Sequence, residues 1–235
     1  MSSAETTTDT AETEAAAEPT DDLRAGILAA FEDELGDAVV GNHLVPGRDL
    51  WIRVTADAWR TTAELARRKL GFTFFDYLSA IDWMPSPFGR YEDAEVDTPL
   101  AEKLGQPYEL QTGYAGGDTR FQLLARVFDV RHRNVGVHLK SDVAEDTMAM
   151  PSWVPVYAGA DWHERETWEM FGISFEGHPG LRHIYLPGDF EGHPLRKDFP
   201  LLTRVVKPWP GIVDVEPMPG EEGGEEEEEA TEGDP

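Results

Sequence analysis

The chain has 235 residues, a formal net charge of -26 and no cysteine. The missing thiols exclude disulfides, thiolate zinc sites, cysteine-ligated iron–sulfur clusters and covalent haem attachment. The charge argues against nucleic acid or an anionic membrane surface as a direct partner. The acids are unevenly placed: residues 1–22 carry seven and residues 216–235 carry ten, with no base in either stretch. Tails of this kind cannot bury enough apolar surface to offset ordering, so 1–20 and 208–235 are expected to be disordered acidic tails. No apolar run approaches the ~20 residues of a membrane-spanning helix. The start, MSSAETTTDT, lacks the basic and apolar regions of a signal peptide, so a soluble, cytoplasmic chain without membrane insertion is expected.

In chain order, Leu23, Ile27, Phe31 and Leu35 recur at helical spacing, with Thr20 or Asp21 as cap and Gly36 at the left-handed C-terminal position. Leu50, Ile52 and Val54 alternate over Asp49 to Val54 and predict a strand. Asp57 opens a second helix through Trp59, Leu65 and Leu70, closed by Gly71. The aromatic-rich Phe72 to Asp82 suits a strand. Residues 84–107, with their prolines, predict an irregular loop. Tyr108 to Ala115 and Arg120 to Val130 flank Gly116-Gly117-Asp118, a hairpin signal, and Asn134 to Lys140 adds a further strand. Strands linked by short turns, with helices before them, predict an α+β fold: a two-layer domain with a mostly antiparallel or mixed sheet and helices on one face, spanning 21–160.

Residues 161–207 read as a helix followed by an extended segment. Pro155 interrupts the helical pattern and leaves Asp161 to Phe171 as the helix, with Asp161 as N-cap and Glu164 completing a capping box. Beyond Gly172, glycine and proline come too often for regular structure. Leu181, Ile184, Leu186, Leu195, Phe199 and Leu201 nevertheless make the segment too apolar to stand free in water, as expected of a chain lying across another surface. One phrase occurs twice, from Phe175 through His178-Pro179 to Arg182 and from Phe190 through His193-Pro194 to Arg196.

The stretch from His163 to Pro200 holds four of the seven histidines and invites a catalytic or metal reading. A zinc-protease helix needs histidine at both ends of HExxH, and here Thr167 takes the second place. His178 and His193 are each followed by an arginine within four residues, which disfavours a nearby cation. Glu164 and Glu166 flank Arg165 on different helix faces, so they do not converge as an acid–base pair, and a solvated or ion-pairing face is expected. No GxSxG, P-loop or GxGxxG is present. What remains is an interleaving of Arg165, Arg182, Arg196 and Lys197 with Glu164, Glu166, Glu169 and Asp198, which suits register against a partner better than catalysis.

Glu164-Arg165-Glu166, Glu169, Met170-Phe171-Gly172-Ile173, His178-Pro179, Leu181-Arg182 and the closing run His193-Pro194-Leu195-Arg196-Lys197-Asp198-Phe199-Pro200 resemble the signature of the 30 kDa subunit family of respiratory complex I. In bacteria this family supplies the C-type component of the proton-pumping NADH–quinone oxidoreductase. The resemblance implies a non-catalytic peripheral-arm subunit on the cytoplasmic side of the membrane, with no cofactor of its own. FMN and iron–sulfur clusters are then held by partner subunits. The implied partners are chiefly the 49 kDa-type quinone-site subunit and its iron–sulfur neighbour. The implied docking residues are Glu164, Arg165, Glu166, Glu169, Gly172, His178, Pro179, Arg182, His193, Pro194, Arg196, Lys197 and Asp198. Trp168-Glu169 departs from the family's usual Tyr or Phe followed by Asp, keeping aromatic and acidic character. Two alternatives stay open: the equivalent subunit of a related membrane-bound hydrogenase, and a metal hydrolase using His163, His178 and His193.

Overall fold

The computed structural model describes residues 21–87 and 107–199. The elements are α1 (Asp22–Leu35), β1 (Val39–His43), β2 (Leu50–Val54), α2 (Trp59–Arg68), β3 (Phe74–Asp82), β4 (Phe121–Asp129), β5 (Val135–Val143), β6 (Ala149–Pro151), α3 (Ala160–Phe171) and β7 (Ser174–Glu176). Five strands form one sheet in the order β1-β2-β5-β4-β3, and β6 pairs with β7 in a separate parallel ribbon. Only β2 and β5 run parallel in the large sheet; its other pairings are antiparallel. This is the mixed-sheet α+β architecture expected from the sequence.

Strand alternation divides the sheet into two unlike faces. On one face, registered rows such as Ile52–Leu139–Ala125–Leu78 are buried. They share a core with Ile27 and Phe31 of α1, with Trp59, Ala63 and Ala66 of α2, and with Ala160 and Phe171 of α3. Trp59 and Trp153 stack at 4.4 Å within it. The core is continuous from α1 to β7 and takes in residues on both sides of position 160.

The other face carries the row Trp51–His138–Arg126–Tyr77 and, beside it, Arg53–Lys140–Leu124–Ser79. Trp51 stacks on His138 at 4.0 Å, and Arg126 pairs with Asp49 and Asp76. Residues 113–118 cross this face. Lys140 Nζ donates to the Tyr114 carbonyl at 3.0 Å, Arg53 Nε donates to the Ala115 carbonyl at 3.1 Å, and the Tyr114 ring stacks on His43 at 4.2 Å. Burial pushes the Lys140 ammonium down to about 8.

The expected hairpin between Tyr108–Ala115 and Arg120–Val130 is therefore not formed. β4 has β3 on one side and β5 on the other, which leaves no edge for a strand from 108–115. The turn signal itself is real, since Gly116 takes a positive φ of 71°. Short strands β1, β6 and β7 were not expected; five-residue β1 is irregular at Val39/Gly41, and three-residue strands carry no periodicity. Asp21 caps α1 through the Arg24 amide, as its position predicts. α3 begins instead after Gly159 with no side-chain cap, so the Asp161–Glu164 capping box is not made. Most of the 84–107 loop, both tails and residues 200–207 lie outside the described residues.

Candidate functional site

The residues singled out by the sequence gather on α3 and on residues 177–199, a strap that folds back along it. α3 buries Ala160, His163, Glu164, Thr167 and Phe171 toward the core. Glu169, on the opposite side of the helix, is buried as well, because the strap covers it. The strap runs with the helix. His178 meets Asp161, the Arg182 and His183 carbonyls meet Arg165, and the amides of residues 184–186 meet Glu169. Positions 161, 165 and 169 form one strip at i, i+4 spacing, so an extended chain can follow them.

Glu164 and Glu169 are not a solvated face, which corrects the sequence expectation. Glu164 is fully buried and accepts from Ser152 Oγ at 2.6 Å and from the Trp153 amide at 2.5 Å. Burial pushes its carboxyl up to about 7, against the pull of those two donors. Burial also favours the neutral form of Glu169, but the Ile184, Leu186 and Tyr185 amides outweigh it and hold the carboxyl below its usual range. A periodicity argument misses both, because it counts charged residues as outward-facing. The missing information is the identity of the donors, and Ser152, Trp153 and residues 184–186 are fixed only by tertiary structure.

The repeated phrase grips the same helix twice. His178 Nε2 donates to the Asp161 carbonyl at 3.1 Å while its Nδ1 accepts from the Gly180 amide. His193 Nδ1 donates to the Glu169 carbonyl at 2.9 Å. The first copy thus lies on the helix's opening turn and the second on its closing turn. Each phrase turns on a glycine of positive φ, Gly177 at 80° and Gly192 at 95°. Gly172 ends α3 in the left-handed conformation, and a Cβ there would collide with His193 and Arg196.

Arg196 closes the grip. Its Nε donates to the Phe171 carbonyl at 2.6 Å, and its guanidinium lies over the Phe121 ring at 5.2 Å. Arg120 also lies against the Phe121 ring, at 4.6 Å, and bridges Asp82 and Asp198. Buried Asp82 accepts from Arg120, from the Met84 amide and from the Lys197 amide at 2.8 Å. Burial opposes the charge on Arg120, but its two aspartates win and raise its pKa. The sequence does not single out Asp82 and Arg120; the available signal was an acid at the closing position of a largely apolar strand.

Among the implied docking residues, Pro179, Arg182 and Lys197 are exposed and Glu166 is half-buried. Glu164, Arg165, Glu169, His178, His193, Arg196 and Asp198 bond within the chain. Pro194 is half-buried in the turn that follows His193. His163, His178 and His193 do not converge: His163 sits edge-on to Phe75, and the other two bond opposite ends of α3. Among the described residues, no group of three or more His, Asp or Glu is placed to hold a metal ion.

These features define a mixed-sheet α+β domain whose terminal helix is clamped by a returning strap. Residues 52–205 match the family of the respiratory-chain NADH dehydrogenase 30 Kd subunit, and the chain belongs to that family. It is 34% identical over 179 residues to the C/D subunit of NADH-quinone oxidoreductase from Klebsiella pneumoniae subsp. pneumoniae, covering 68% of this chain and 30% of that protein. A second such protein, from Photorhabdus laumondii subsp. laumondii, is 43% identical over 131 residues, covering 51% of this chain and 22% of that one. The chain thus spans less than a third of the length of these curated relatives. Among solved structures, a chain of the membrane-bound sulfane sulfur reductase, an archaeal respiratory membrane complex, shares the fold. Its TM-score is 0.55 at 19% identity, covering 77% of this chain and 88% of that one. A trypsin-resistant fragment of Nqo5 aligns with a TM-score of 0.45 at 21% identity, covering 68% of this chain and all of the fragment.

Proposed function

We propose that the chain is a non-catalytic subunit in the peripheral arm of a proton-translocating NADH–quinone oxidoreductase. In this role it lies on the cytoplasmic side of the membrane and holds together the module that reduces quinone. Electrons pass from NADH through FMN and iron–sulfur centres in other subunits, and the principal neighbours are the 49 kDa-type quinone-site subunit and its iron–sulfur partner. The observation that carries this reading is the family match across the sheet, α3 and the strap. The site chemistry supports it: Glu164, Arg165, Glu169, His178, His193, Arg196 and Asp198 of the signature are committed to fixing a helix–strap unit, a platform suited to docking.

Co-purification from membranes tests the reading. The full chain is expected to bring down the quinone-site subunit and NADH–quinone reductase activity; recovery without any other subunit of such a complex would overturn it. Arg182 is exposed and its side chain makes no bond among the described residues. Arg182→Ala is therefore expected to leave the melting temperature of the chain unchanged while lowering assembled complex several-fold on a native gel.

A further inference from the structure

The strap covers one side of α3 and the core covers another, but the strip Trp162–Glu166–Met170 between them is not closed. Trp162 and Glu166 are one turn apart on this strip. One face of the Trp162 indole lies on His163 at 3.7 Å, yet the side chain remains 47% exposed. Tyr185, whose amide sits on Glu169 one turn beyond Glu166, is 56% exposed. Leu195, whose amide donates to the Met170 carbonyl, is 51% exposed. Three large exposed apolar residues therefore lie on or beside this side of α3: Trp162 one turn before Glu166, and Tyr185 and Leu195 where the strap meets Glu169 and Met170.

Glu166 is the exception among the desolvated acids of the described residues. The four buried carboxylates of the described residues, Asp82, Asp129, Glu164 and Glu169, all accept hydrogen bonds from side chains or amides. Half-buried Glu166 accepts none among the described residues and is within salt-bridge distance of no base there. Burial raises its carboxyl pKa, and the negative charge of Glu169 raises it further. A carboxylate that is partly dried, repelled by its neighbour and set on a helix side with exposed apolar residues is complementary to an incoming cation on an apolar segment.

We propose that Trp162, Glu166 and Tyr185 form the centre of the surface that receives a neighbouring subunit, and that its occupant is a segment presenting an arginine or lysine among apolar side chains. The inference rests on the subunit reading above and names the partner's chemistry. It moves the centre of docking away from the repeated histidine–proline phrases, which are used internally, to an adjacent strip of α3. Tyr185 supplies a rigid amphipathic anchor, Trp162 a large apolar one, and Glu166 fixes register through a charge-assisted bond.

The test uses the full chain in the native membrane complex. Glu166→Lys is expected to lower assembled complex at least tenfold and Trp162→Ala several-fold, while both full-length variants melt as the unaltered chain does. A photo-crosslinking aromatic residue in place of Trp162 is expected to form an adduct with another subunit, a readout that does not depend on the stability of either variant. Wild-type assembly of both variants would overturn the inference, as would an adduct confined to residues 200–207 of the same chain or to a second copy. In those outcomes the unaltered chain still enters the complex and the subunit reading stands. If the unaltered chain fails to enter a complex, that reading falls and takes this inference with it.

Discussion

Glu164 and Glu169 lie five positions apart on one helix and are both removed from water, yet their surroundings drive them in opposite directions. Glu164 faces the core with two donors and is pushed up to about 7. Glu169 lies under the strap with three consecutive amides and is held below its usual range. Burial alone does not decide the state of a carboxylate; the number and aim of its donors do. Glu169 is a charged clamp for the strap, whereas Glu164 is an acid close to neutrality that joins α3 to the turn after β6.

Glu169→Ala is expected to have the largest effect. It leaves three amides without their acceptor, at about 1–3 kcal/mol for each that stays dry. Hydrogen exchange at Ile184, Tyr185 and Leu186 is expected to quicken a hundredfold or more, with β4 and β5 unchanged. Uniform quickening across the sheet would show that the strap is not a separate clamp. Asp82→Asn comes next, because it weakens the Arg120 contact and the Lys197 amide bond at the other end of the strap. A loss of about 2–3 kcal/mol is expected in denaturant unfolding, and a loss near zero would remove Asp82 from the clamp.

Glu164→Gln has the smallest effect and the sharpest diagnostic. A carboxyl raised in the folded state binds more protons there than in the unfolded chain. Glu164 therefore stabilises the fold at low pH and loses that contribution as pH rises through about 7. Glu169 has the opposite sign: its contribution is present above the ordinary carboxylate range and is lost as pH falls through its depressed value. Thermal unfolding between about pH 5 and about pH 8 is expected to show a shallower decline in stability for Glu164→Gln than for the unaltered chain. An unaltered slope would assign the decline to other groups.

The sequence was informative where a pattern is local. Alternation at Leu50, Ile52 and Val54 marks β2, Asp21 and Gly36 bracket α1, and the signature residues mark α3 and the strap. It was uninformative where a decision belongs to distant partners. Gly116-Gly117 makes its turn, but whether 108–115 pairs with β4 depends on whether β3 has taken that edge. Most residues of the candidate site were marked by the resemblance to the family signature, but the direction they face was not. His178 and His193 bond a helix that is fixed in place only by the core beneath it.

The single parallel pairing has a consequence for the order of assembly. β3, β4 and β5 form an antiparallel meander, whereas β2 finds β5 by joining Leu50 to Val137 and Val54 to Ser141 across the whole of α2, β3 and β4. Loop closure over such a separation is entropically late, so the meander is the natural nucleus and the β1–β2 hairpin joins it afterwards. During synthesis the hairpin and α1 emerge first and must wait, with Leu50, Ile52 and Val54 uncovered, until the chain has passed residue 143. The apolar alternation that makes β2 legible in sequence is also what leaves the nascent chain exposed to misassembly.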